Sequence, residues 1–449
     1  MLVPVLFVVG ACSSGSRDSG GAVPGLAAPT WHQDVAPLVS EHCQSCHQAG
    51  QLAENLAFTD YASSAPWAWF MAEEAEHERM PPFYAQETER CQPTFAWEND
   101  PRLSGEAIEL LQDWSSAGAP EGDPDTAAPL PSPEVFGLKE WDLELEVAFE
   151  PYEGDYQICF PVRNPLEDAR WIEAIEVVPG QPSLVHHVSV RLDREGRSLD
   201  RAKGEAFYPC TGTLDGEEIG GFLPGAPPST YPEGTAYPLN PDDVLAIQVH
   251  YHVLPGALAQ QDRTTVRFKL TEAPPRHEPV LMRVGNDIWL DPEGGIIPGP
   301  DGEMDFVIPA GASNHRETFV KRFTLPGTWA VFQVANHMHY VGFDALLTIE
   351  RDDQDVSECL LHTPQWDLDW QQVYRIDTTA GGAPLLREGD RLRLECAYNN
   401  SMTNTAWMAQ LAKEGISDIP DVVLGDSAID EMCAAQLGLI QVSEEGSAR

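Results

Sequence analysis

The sequence predicts a multidomain protein: a small all-α domain followed by two antiparallel, jelly-roll-like β-sandwich domains. Three observations predict it. Residues 30–123 carry helical patterning, as in "LSGEAIELLQDW", where Ser104 is an N-cap candidate and Ile108, Leu111 and Trp114 recur at helical spacing. The stretch "GAPEGDPDTAAPLPSP", 118–133, is rich in Pro, Gly and Ala and reads as a linker. Beyond it, alternating runs such as "LAIQVHYHV", "TVRFKL", "AVFQVA", "ALLTIE" and "RLRLECAY" stand between Pro/Gly turns.

With 449 residues the chain can form two to four domains, each with its own core. The β-rich part is long for one sandwich and sufficient for two, with a break at "TEAPPRHEPV". The expected organisation is a signal and tether over 1–29, the helical domain over 30–123 and a linker over 124–135. Two sandwiches follow, over 136–277 and 278–449.

The N-terminus reads "MLVPVLFVVGACSSGSRDSGG". An apolar stretch, too short for an ordinary membrane-spanning helix, stops at Cys12 after the small pair Gly10-Ala11, and a Ser/Gly-rich tether follows. It resembles a bacterial lipoprotein signal, although it lacks a basic n-region. The resemblance implies that Cys12 is acylated and anchors an exported, periplasmic or outer-membrane-anchored protein. A buried apolar strand is the plainer alternative, and the adjacent tether argues against it.

The 71 acidic residues outnumber the 27 basic ones, for a net charge of −44. That excludes nucleic acid and an anionic membrane surface as natural partners. A solvated surface accounts for most of the acidity, and attraction of a cationic redox partner is the other use. Nine cysteines are present. Cys12, Cys43 and Cys46 have roles of their own, and the even remainder in an exported chain predicts disulfides.

"CQSCHQ" supplies Cys43, Cys46 and His47 in CxxCH spacing. Two thioethers can fix a haem there while the adjacent His supplies an axial nitrogen. "ERMPPF" follows, with Met80 before a Pro pair, and then the amphipathic helix 104–116. That order resembles a monohaem class I cytochrome c over roughly 90 residues. The resemblance implies one covalent c-type haem with His47 and Met80 as axial ligands, Met ligation raising the potential as an electron carrier needs. His77, three residues before Met80, is the rival ligand. A redox CxxC or a zinc site would need neither the following His nor the Met-Pro loop.

The β region places histidines at strand-like positions: His186 and His187 in "VHHVSV", His250 and His252 in "IQVHYH", His337 and His339 in "ANHMHYVG". Residues i and i+2 of a strand share a face, so His337 and His339 can chelate one ion. A lone histidine of this kind is more often an ordinary half-buried residue. Three clusters in one exported, redox-linked chain point instead to copper or zinc. Near the C-terminus "GDSAIDEMCAAQ" adds Met432 and Cys433.

The set HH, QVHY, HxH and DEMC, in this order, resembles the copper type II, ascorbate-dependent monooxygenases, the peptidylglycine α-hydroxylating and dopamine β-monooxygenase-like family. "GGFLPGAPPSTYPEGTAYPLNPDDVLAIQVHYH" and "RLRLECAYNNS" look like that family's connecting segments, so the resemblance covers about 300 residues. It implies two copper ions. His186, His187 and His250 would bind the electron-transfer copper. His337, His339 and Met432 would bind the oxygen-activating copper, with the soft thioether favouring Cu(I). Gln248 matches a family glutamine near the inter-copper route. Cys396 would pair with Cys433, pinning the methionine strand. His252 has no ligand counterpart, and Met338 and Met402 are rival thioethers. The remaining four cysteines permit two more bridges, Cys159 with Cys210 among them.

Substrate recognition departs from the peptide-amidating members. Their Arg before the HxH is Ala335 here, and their Asn and Tyr after the methionine are Ala434 and Gln436. The clamp for a peptide carboxylate is absent. Trp366, Trp370 and Tyr374 either shape an apolar pocket or fill a core. A strand would aim neighbouring His186 and His187 at opposite faces, so joint binding requires residues 185–188 to depart from regular pairing.

The expected function is a dicopper monooxygenase that hydroxylates a C–H bond of a small organic substrate with O2. A redox partner would donate electrons to the haem, which would feed the coppers. The alternatives are a haem/copper electron-transfer or copper-handling protein without oxygenase activity and, behind it, a peptide- or glycan-binding β-sandwich.

Overall fold

The structure, a computed structural model, describes residues 28–442 apart from 50, 52, 132–136, 211–214, 224–225, 254–259, 287–305, 352–356, 380–381 and 426. The lipidation candidate Cys12 and most of the 1–29 tether lie outside the described residues.

The helices Ala36–His42, Tyr61–Ser64, Ala68–Glu76 and Gly105–Ser116 are short. Ser104 accepts a hydrogen bond from the Ala107 amide at 3.2 Å and starts the last of them, satisfying one orphan donor of its first turn. Their apolar faces bury Val39, Met71, Leu111 and Trp114 in one small core with Trp31 of the preceding turn Trp31–Val35. Trp114 Nε1 donates to the Pro120 carbonyl at 3.1 Å and closes it.

Between Ala68–Glu76 and Gly105–Ser116 the chain leaves that core. Phe83 and Ala85 are buried with the apolar residues of the C-terminal sheets. Thr88 Oγ1 lies 2.7 Å from His362 Nδ1, and Trp97 forms a bridge with Ile376. Cys91 is disulfide-bonded to Cys359. Arg90 pairs with Asp344 at 3.2 Å and with Glu395 at 2.6 Å.

The strands form four larger antiparallel sheets. The first joins Leu143–Phe149, Asp262–Thr271 and Arg170–Val178, with two short strands on the last. The second runs Tyr208–Pro209, Gly154–Arg163, Val244–Val253, Val185–Asp193 and Glu217–Phe222. The third joins Val280–Gly285, Ala434–Val442 and Thr328–His337, with Tyr374–Arg375 and Leu385–Arg387 at its edge. The fourth runs His315–Arg322, Arg391–Tyr398, Gly342–Glu350 and Glu358–Thr363. Inward positions of the first two sheets, such as Ile175, Phe268, Val190 and Ile247, share one core. Those of the last two, such as Val331, Leu437, Leu347 and Leu394, share another. Burial of each such side chain contributes roughly 1.5–3 kcal/mol.

The expected fold class is therefore corrected. Among the described residues the chain is mostly β, built of four blade-like larger sheets with short helices only, and shows no sizeable all-α domain. Helical periodicity in "LSGEAIELLQDW" marks a real helix, but no described helix exceeds its 12 residues. The segment expected to close an all-α domain is threaded into the core of the C-terminal sheets. Alternation and turns count strands without saying how sheets group.

Disulfides join Cys396 to Cys433 and Cys159 to Cys210 as well. Three such bonds fit an exported protein. No helix among the described residues is long and apolar enough to cross a membrane.

Candidate metal centres

The strand Val185–Asp193 pairs with Val244–Val253, and its register shifts between Val185 and His187. Val185 faces Tyr251 and His187 faces His250, so His186 is the extra residue of a β-bulge. The bulge turns both neighbouring imidazoles toward His250. The ring centroids of His186, His187 and His250 lie 4.7–5.3 Å apart. Nδ1 of His187 is 3.2 Å from Nδ1 of His186 and 3.4 Å from Nδ1 of His250. Such nitrogens cannot all carry protons and face one another. Convergent lone pairs of this kind are what a bound cation satisfies.

Asp155 stands behind the triad. It faces His252 directly in the ladder, and Gln157 faces His250. Its Oδ1 lies 2.5 Å from His250 Nε2 and its Oδ2 lies 2.9 Å from His252 Nδ1. With a carboxylate at Nε2, that nitrogen carries the proton and donates, which leaves Nδ1 of His250 its lone pair. Burial alone would raise the Asp155 carboxyl, but the two imidazoles overcome it and hold the group below the usual carboxylate range. Burial, then the charges of His250, His186 and His337, hold His187 far below the ordinary histidine range. Sequence reading missed Asp155. The polar alternation of Asp155 and Gln157 within "GDYQICF" is the signal that could have found it.

His337 ends the strand Thr328–His337 and pairs with Ala434. The ladder ends there, and His339 and Met432 lie just beyond it on the two strands' continuations. The rings of His337 and His339 are 5.1 Å apart, and both line one cleft with Met432. His337 Nδ1 lies 2.9 Å from Gln371 Oε1, and His339 Nδ1 lies 3.1 Å from the Asp430 carbonyl. Each contact engages Nδ1 and helps fix the orientation of its ring. His339 and Met432 are buried. Burial and the neighbouring His337 push His339 down to about 3.

Glu431 fixes this corner. Its carboxyl accepts from the amides of His339, Met432 and Gly342, binding the HxH turn to the methionine. Burial pushes Glu431 up to about 8. The Tyr398 hydroxyl donates to the Met432 carbonyl at 3.0 Å, and the Cys396–Cys433 bond anchors the next residue. Trp366 Nε1 donates to the His339 carbonyl at 3.2 Å, while Tyr374 is a core residue. Met338 is buried in that core and Met402 is exposed.

Both histidine sets line one cleft of about 630 Å³. Gln248 lies in its wall, and its Nε2 donates to Gln157 Oε1 at 2.5 Å.

The CxxCH segment lies apart, in the helical unit. Cys43 and Cys46 carry free thiols and are half-buried. His47 Nδ1 is 2.8 Å from the Leu56 carbonyl, and its ring stacks on Phe58 at 4.7 Å. Met80 follows the Ala68–Glu76 helix, its amide bonded to the Glu74 carbonyl and its side chain 44% exposed. His77 is exposed, with Nδ1 2.9 Å from the Glu73 carbonyl.

No protein-family model matches the chain. Among solved structures, the chain is similar to the major capsid protein P2 from Bacteriophage PM2. That match has 12% identity and a TM-score of 0.25, over 68% of this chain and 100% of that one. It is also similar to a Paenibacillus xanthan lyase, with 8% identity and a TM-score of 0.16, over 68% of this chain and 23% of that one. Similarities at these scores carry no functional reading of the cleft.

Proposed function

We propose that the chain is a copper-dependent monooxygenase that hydroxylates a C–H bond of a small organic substrate. One observation carries the reading: a three-imidazole set and a two-imidazole set with a thioether open into the same cleft. The donor chemistry fits copper at both places. Converging Nδ1 atoms of His186, His187 and His250 make a nitrogen-only site, and His337, His339 and Met432 offer a mixed nitrogen and soft sulfur site. Bound copper would supply the one-electron steps that split dioxygen.

The balance requires substrate C–H, one O2, two electrons and two protons, and yields C–OH and water. The chain's own residues hold the geometry for it. Asp155 orients His250. Glu431 clamps the His339 turn to Met432. Gln371 and the Asp430 carbonyl fix the His337 and His339 rings.

The CxxCH segment fits a covalent c-type haem. Its thiols are free, and its His47 ring is oriented through Nδ1 by Leu56. Met80, the axial-ligand candidate, is exposed on the same helical unit and so is open to a bound group. In this reading a redox partner supplies electrons to the haem, and acylated Cys12 anchors the exported protein to a bacterial membrane. The disulfides support export, and the tether sequence supports the anchor.

Metal and haem analysis of the mature protein, followed by oxygen uptake across candidate substrates, tests the proposal. It expects two coppers and one haem per chain, and oxygen consumption matched by hydroxylated product. Full metal loading with no substrate-coupled oxygen uptake would leave an electron-transfer or copper-handling protein instead.

A further inference from the structure

The charge and hydrogen-bonding character of the cleft specify the kind of molecule it accepts. We infer that it takes a neutral, hydrogen-bonding substrate, one bearing amides or several hydroxyls, and rejects carboxylates and amines. This deepens the function proposed above and rests on that cleft being the reactive site.

The first observation is charge. The chain carries −44, yet the cleft is lined by three arginines, Arg191, Arg283 and Arg375, and by three carboxylates, Asp155, Glu218 and Glu414. Every cleft charge but that of the exposed Glu414 has an ion-pair partner within the protein. Glu218 holds Arg191 at 3.3 Å and Arg283 at 3.6 Å. Arg375 pairs with Glu98 at 2.5 Å and donates to the Pro228 carbonyl at 3.1 Å. Asp155 is held by His250 and His252, and Glu414 accepts from Gln410 at 3.1 Å. An ionic substrate reaching Arg191, Arg283, Arg375, Glu218 or Asp155 would have to displace one of these partners, leaving a partly buried charge uncompensated.

The second observation is the floor beside the HxH motif. His337 faces Ala434 in the third sheet, and the next rung on that face sets Ala335, Gln436 and Arg283 side by side. The rung beyond sets Gln333, Gly438 and Leu281. A Cβ at Gly438 would lie 2.4 Å from Gln333 Cγ, so glycine there lets the Gln333 side chain lie across the neighbouring strand. Ala335 and Ala434 keep the space next to His337 open. The half-buried Gln333 and Gln436 make no side-chain hydrogen bond to another described residue.

An amide carries donors and an acceptor without charge. Two such groups on a small-residue floor, beside paired ions, match a neutral partner that both donates and accepts. A site built to hydrogen-bond its substrate discriminates strongly against analogues that leave those groups unpaired.

The test uses the full chain, copper-loaded and copper-free, with two matched probe pairs. One pair is N-acetylglycinamide and N-acetylglycine, and the other is methyl glucoside and glucuronate. Binding is measured by saturation-transfer NMR and calorimetry, with ethylamine as the cationic control. The expected result is that one neutral probe binds, about tenfold or more tighter than its anionic counterpart and than ethylamine. The neutral pair that binds tells amide from polyol recognition. Gln436→Leu and, separately, Gln333→Leu should weaken that probe about tenfold, with unchanged circular dichroism and copper content. Preference for an anion or amine, binding of neither neutral probe, or full binding by both variants overturns the inference. Copper binding without neutral-probe binding defeats this inference alone. Neutral-probe binding in a chain that takes up no copper defeats the monooxygenase reading alone.

Discussion

Asp155 Oδ1 lies 2.5 Å from Nε2 of His250, while its Oδ2 holds His252 at 2.9 Å. The carboxylate bridges two histidines on one face of the Val244–Val253 strand and fixes which nitrogen of His250 points inward. Outer partners of ligating histidines typically alter metal affinity about 10–100-fold. Asp155→Ala should therefore weaken copper binding at the triad by roughly that factor. Asp155→Asn should weaken it less, since its amide oxygen still accepts from His250. Competition titration with a chelator measures both, and an unchanged affinity in Asp155→Ala removes the positioning role.

The bond between Cys396 and Cys433 closes a separation of 37 residues next to Met432. The loop-entropy relation gives about 4 kcal/mol for a loop of that length. A Cys396→Ala/Cys433→Ala double variant should lose stability of that order in urea unfolding. It should also lose copper at the His337, His339 and Met432 site before the triad does. Equal loss of copper at both sites would mean that the bond serves only global stability.

Much of the site was legible because its chemistry is concentrated in a few residue types. Two adjacent histidines can serve one ion only through a local irregularity, and the register does shift at His186. The HxH spacing placed two rings on one face for the same geometric reason. Asp155 was only faintly legible: its alternation with Gln157 in "GDYQICF" marks a polar strand face, but one acidic residue among 71 gains its role only when the ladder sets it across from His252. Nor was the path of residues 83–98. Cys91 and Cys359 are 268 positions apart, and no local pattern encodes a contact of that range. The helical unit was expected as a closed domain for the same reason. Its helices follow from local periodicity and capping, whereas the route of the chain between them is set by contacts made far away.

Arg90 ties that segment to the fourth sheet through Asp344 and Glu395. Burial raises the Asp344 carboxyl, but His362 and Arg90 more than offset it, so it titrates below the ordinary carboxylate range. A depressed folded value means that the unfolded chain binds the proton first. The stabilisation is complete above the unfolded value of about 4 and is lost as pH falls through the folded one. Thermal melts from about pH 6 down to about pH 2 should show a steeper loss in the wild type than in Asp344→Asn. Parallel curves would show that the Arg90–Asp344–His362 contact contributes nothing to acid sensitivity.

Met432 separates the two readings of the cleft most sharply. It is buried and tied through its amide to Glu431 and through its carbonyl to Tyr398. Isoleucine is close to it in volume, so Met432→Ile should cost less than about 1.5 kcal/mol of stability. What it removes is the sulfur. Two imidazoles can still hold Cu(II), while Cu(I) loses its soft ligand. The variant should keep near-normal Cu(II) stoichiometry and an unchanged CxxCH absorption spectrum. Its Cu(I) affinity at this site should fall by at least about tenfold, and substrate-coupled oxygen uptake should disappear. Anaerobic Cu(I) competition with bicinchoninate, beside oxygen-electrode measurements, reads both effects. Full oxygen uptake in Met432→Ile would reject the thioether as part of the oxygen site. Loss of oxygen uptake with undiminished Cu(I) binding would move its role from holding metal to shaping the cleft wall.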